Sequence, residues 1–144
     1  MESSAQRWQG SEELSALLDV CFAKLLTGFD KRQIIRVCPR SDVDCIYTPE
    51  LDRFLPDLVP KYTVDDKVVR KIQNLLLDVT GQISMSYEMV LQAKENSKQL
   101  YPSALLSCLT KYLQLLGNVN DYISSKRRTQ VLTKIGQKYT SLSL

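Results

Sequence analysis

In the last third of this chain, apolar residues return every three or four positions: Leu105, Leu109, Tyr112, Leu116, Val119 and Ile123. That spacing follows the turn of an α-helix rather than the alternation of a strand, so it commits the segment to a helix with one buried stripe. Leu106, Leu113 and Leu115 widen the stripe beyond a two-stranded seam, which suits a bundle core. Pro102 stands at the start, where a first helical residue needs no N–H. A single amphipathic helix is marginal in water, so the rest of the chain has to supply partner faces.

The remaining sequence has the same character, with only 5 glycines and 5 prolines in 144 residues. Val68, Ile72, Leu75, Val79 and Ile83, followed by Met89, Val90 and Ala93, predict a long helix over about residues 64–97, opened by Thr63 and Asp66 as a near capping box. Gly81 inside it costs about 1 kcal/mol against alanine and marks a bend or a close helix contact. Leu14, Leu17, Leu18, Cys21, Phe22, Leu25 and Leu26 predict a helix over about 12–27, capped by Ser11 and ended by Gly28 in a left-handed turn. Asp30 is the expected cap of a shorter helix, about 31–38, stopped by Pro39.

Beyond it, Ser41 to Asp44 is expected as a turn, Cys45–Tyr47 as the one extended stretch, and Thr48-Pro49 as the opening of a short helix over about 49–55. Prolines at 56 and 60 make the apolar segment 51–60 irregular. After Ile123 the phase fails. The same steps would reach Lys126, Gln130 and Thr133, whereas Val131, Leu132, Ile135 and Tyr139 begin a new stripe. A kink or break at Ser124-Ser125 and a separate helix over about 126–139 are therefore expected.

Together these elements predict an all-α, antiparallel bundle of four to five principal helices, with one short irregular proline-containing segment. Residues 11–139 form the single domain, 1–10 a flexible arm and 140–144 a fraying tail.

The chain contains no histidine. The usual general base near neutral pH is missing, and neither a Ser–His nor a Cys–His nucleophile can be built. Zinc sites with imidazole ligands are excluded, and the four cysteines lack paired CxxC spacing. Cys21 and Cys108 fall in apolar stripes as small hydrophobes; Cys38 and Cys45 flank a loop, but a reducing compartment argues against joining them. Asp42-Val43-Asp44 resembles a metal-binding D-x-D only superficially and is better explained as a turn, while Asp65 and Asp66 belong to a helix start. No glycine-rich phosphate loop is present. No catalysis, cofactor or metal is expected.

Three surfaces remain. Phe54, Leu55, Leu58 and Val59 concentrate apolar area where prolines prevent a long helix, and either cover the core or dock a partner. Trp8, a large aromatic in a polar arm, needs something to anchor on. All 16 acids lie at or before Asp121, and Lys126, Arg127, Arg128, Lys134 and Lys138 follow without one. Lys31, Arg32, Arg36 and Arg40 make a second basic strip, for which Asp42 and Asp44 are the nearest acids. Basic segments of this kind meet acidic proteins, anionic lipid or nucleic acid, or serve as solvated helix ends.

The expected function is a non-catalytic protein–protein interaction module, an adaptor or subunit of an intracellular complex. Its alternatives are a nucleic-acid-associated protein using the basic C-terminal helix and a small bundle regulator gripping a partner helix in a groove. The polar segment Met1–Gly10 and the lack of any run of about 18 apolar residues point to the cytoplasm or nucleus.

Overall fold

The computed structural model describes residues 7–48 and 63–142, with side-chain surroundings for 7–48 and 66–138. Among these residues the fold is all-α. Helices α1 (Glu12–Ala23), α2 (Gly28–Val37), α3 (Thr63–Asp78), α4 (Thr80–Glu95) and α5 (Pro102–Leu142) account for the regular structure, apart from one 3-10 turn at Asp44–Ile46. Helices α3 and α4 are one rod with a flaw. Only Val79 separates them, and its backbone is itself right-handed helical (φ −70°, ψ −24°).

α5 is the axis against which α1, α3 and α4 pack. Its inward stripe is Cys108, Tyr112, Leu115, Val119 and Tyr122, and Leu115 keeps only 2 % of its surface. Ile34 of α2, with Leu75 and Val79 at the α3–α4 joint, completes the central cluster. Two glycines set how closely the elements approach. A Cβ on Gly117 would collide with the Cys21 carbonyl of α1, and one on Gly81 with the Cys38 carbonyl just past α2. Gly81 therefore serves a close contact beside the α3–α4 joint; Gly117 does the same work for α1 with no interruption of its helix.

Several boundaries differ from those expected. α1 begins as predicted, with the Ser11 hydroxyl accepting from the Leu14 N–H at 3.2 Å. It ends at Ala23 rather than near 27, because the Leu26 N–H is satisfied across the bundle by Asn118 Oδ1 at 3.1 Å. Gly28 does not terminate α1; it is the first residue of α2, whose cap is Thr27, the hydroxyl accepting from the Asp30 N–H at 3.1 Å. Cys45–Tyr47 is not an extended stretch, since Asp44–Ile46 close a 3-10 turn. Cys38 and Cys45 are both free thiols, and Cys38 is buried beside Cys108.

The largest correction concerns α5. No break occurs at Ser124-Ser125: the helix runs 41 residues from Pro102 to Leu142. A change of apolar phase rotates the stripe around a helix without interrupting its hydrogen bonds, and here it does only that. The stripe expected on α4 is likewise displaced. Ile83 points to solvent, whereas Gly81, Gln82 and Ser86 face inward. The Gln82 Nε2 donates to the Ile34 carbonyl at 3.2 Å, and the Ser86 hydroxyl donates to the Gln82 carbonyl at 3.0 Å. Residues 49–55, expected as a short helix, lie outside the described residues.

Candidate interaction surface

The sequence-predicted interface residues fare differently. Trp8 is 82 % exposed, its ring edge lying beside Gly10 at the start of α1. Phe54, Leu55, Leu58 and Val59 lie outside the described residues. Arg32 and Arg36 are exposed on α2. Arg40 has left that strip: its guanidinium pairs with Asp78 at 2.8 Å and donates to the carbonyls of Asn74 (2.9 Å) and Ile46 (3.2 Å). It also stands 5.4 Å from the centre of the Tyr47 ring. Asp78, a long way off in sequence, is its acid, not Asp42 or Asp44. Arg40 thus pins the 38–48 loop to the C-terminal end of α3, where a cation also meets the negative pole of the helix.

Lys126 is half-buried, its ammonium 5.4 Å from the centre of the Tyr122 ring one turn earlier on α5. Arg127, Arg128, Lys134 and Lys138 are exposed on the distal half of α5. Between them lie Val131, Leu132 and Ile135, which are 56, 67 and 44 % exposed. At about 100° per residue these three side chains point to the side of α5 roughly opposite Leu115 and Val119. The proximal half buries one face in the bundle, and the distal half presents the other face to solvent. The sequence shows this stripe as a phase change; among the described residues the core cluster reaches along α5 only to Tyr122 and Ile123, which no local pattern reveals.

Two further surfaces are present among the described residues. Ile83, Tyr87 and Val90 form an outward apolar row on α4. Beside it, a hollow of about 270 Å³ is walled by Met85, Met89, Leu100, Tyr101 and Ala104, with Glu88 at its edge. It holds a side chain or two and is far too small for a gripped helix, which is about 10 Å across. A second hollow, about 240 Å³, brings Lys31 and Lys71 together with Asn118, Asp121 and Tyr122. Burial, then the neighbouring Lys71, push the Lys31 ammonium below the usual lysine range, and Asp78 partly offsets them.

The Cys38 thiol is pushed up, first by burial and then by Cys108, and Cys21 is raised by burial alone, so both favour the unreactive thiol form. No cluster of acids and cysteines suited to a metal occurs among the described residues. No described helix is long and apolar enough to cross a membrane. Compared with known protein families, characterised proteins and solved structures, the chain matches none.

Proposed function

We propose that this protein is a non-catalytic interaction module, an adaptor or subunit of a larger complex that binds other proteins through exposed helix faces. The observation that carries the reading is the apolar stripe Val131, Leu132 and Ile135, held in solvent on a helix anchored in the bundle by Leu115 and Val119. Exposed apolar side chains at helical spacing lose free energy in water and recover it when a partner covers them. The bundle supplies a rigid base, so little ordering cost is added on binding. The proposed setting is the cytoplasm or nucleus, in keeping with the free thiols Cys21, Cys38, Cys45 and Cys108.

Quantitative affinity capture with the parent chain and a Leu132→Asp, Ile135→Asp variant of equal helical circular dichroism tests the reading. Proteins retained by the parent and lost from the variant are expected. Identical sets from both chains would contradict it.

A further inference from the structure

We infer that the distal half of α5 docks an acidic amphipathic helix of a protein partner, laid along the stripe Val131, Leu132 and Ile135. The inference rests on the interaction reading and adds the chemistry of the occupant. Charge on this segment selects among occupants. From residue 122 onward the sequence has five basic side chains and no acid. Arg127 and Lys134, seven residues apart, line one edge of the stripe, and Arg128 stands at its N-terminal end.

An antiparallel second copy of this chain would set Arg127 and Lys134 against the same cations, and a parallel copy would set them against the small, uncharged edge of Ser125, Thr129 and Gly136, so neither supplies acids to the cationic edge. A nucleic-acid backbone would meet the cations but leave the three aliphatic side chains in water. A membrane surface favours cations on both flanks of an in-plane helix, each reaching the headgroups. Here the other flank is Ser125, Thr129 and Gly136, small and uncharged. Its hydroxyl at Thr129 is spent within the helix, donating to the Ser125 carbonyl at 2.9 Å. A small, neutral edge lets another helix approach closely, and a cationic edge opposite it pairs with acids along that helix. An amphipathic helix with an apolar stripe and one carboxylate edge matches both.

Fluorescence anisotropy with synthetic probes of about five helical turns tests this on the full chain. One peptide carries a leucine stripe with a glutamate edge, and its counterparts carry lysine or glutamine there. Phosphatidylcholine–phosphatidylserine vesicles and a DNA duplex complete the set. The glutamate peptide is expected to bind best. Ile135→Asp is expected to weaken it about tenfold or more. Arg127→Glu with Lys134→Glu is expected to reverse the preference in favour of the lysine peptide, and salt is expected to weaken the parent complex.

Equal binding of all three peptides, lost in Ile135→Asp, would overturn the acidic partner and leave the interaction reading standing. Binding to vesicles or duplex with no peptide bound would overturn both, and no binding to any probe would overturn the acidic helix as occupant. A fall in thermal stability in Ile135→Asp would show the stripe to be covered within the chain, and would also overturn both.

Discussion

The two halves of α5 are built from the same kinds of residue and behave in opposite ways. Up to Tyr122 its inward residues Cys108, Tyr112, Leu115 and Val119 face α1, α3 and α4, and Leu115 is almost fully enclosed. Beyond Ser124 the described aliphatic side chains, Val131, Leu132 and Ile135, sit on the far side of the helix and remain in water. Apolar composition therefore does not distinguish core from surface in this chain; phase and reach do. The proximal stripe lies where neighbouring helices exist, whereas the distal stripe extends past the point at which they end. The charges follow the same division, since the acids cease at Asp121 and only bases accompany the distal half.

The sharpest way to break this contrast is to make like substitutions in both halves. Leu115→Ala removes an enclosed side chain and leaves a cavity, so chemical denaturation should show a loss of about 2–5 kcal/mol. Ser125→Pro removes a hydrogen bond and clashes with the preceding turn, at about 3 kcal/mol of local helix stability. It should lower far-ultraviolet ellipticity as residues beyond 125 unwind, while the main unfolding midpoint stays nearly constant; a helix already broken at Ser124-Ser125 would show no such loss.

Gly117→Ala places a methyl against the Cys21 carbonyl, so α1 has to shift, at about 1–3 kcal/mol measured by the same unfolding experiment. Leu132→Gln should move global stability by under about 0.5 kcal/mol, because Leu132 is 67 % exposed. A distal effect as large as that of Leu115→Ala would remove the distinction between the halves.

Much of this architecture was legible in the residues. The three-and-four spacing through Tyr112, Leu116 and Val119 marks a helix with a buried face, although Leu115, read as widening that stripe, is buried more deeply than Leu116; the Ser11 cap follows from local chemistry. Gly81 was legible as a close contact because its cost in a helix needs a reason. What escaped depended on partners distant in sequence. The end of α1 is set by Asn118, reaching back 92 residues to the Leu26 N–H. Arg40 finds its acid at Asp78, 38 residues on, instead of in the adjacent loop.

Gln82 and Ser86 occupy the inward positions where pattern reading expects Ile83, because the buried face of α3 continues from Leu75 and Val79 through positions 82 and 86 and leaves Ile83 at its edge. Of the candidate surface, the residues were visible as a stripe out of register with the one before it. Taking that mismatch as an interruption of the chain, rather than a change of face on an unbroken helix, was the error. The periodicity of side chains carries no information about whether the backbone bonds beneath them continue.

Continuity of α5 is the claim on which the exposed distal face depends, and one distance tests it. Nitroxide labels attached through Ser103→Cys and Thr133→Cys, with Cys45→Ser to remove the exposed native thiol, can be measured by pulsed dipolar spectroscopy. A single straight helix places the two positions about 45 Å apart, at the standard rise per residue. A narrow distribution near that value is predicted, and a markedly shorter mean or a broad spread would contradict it.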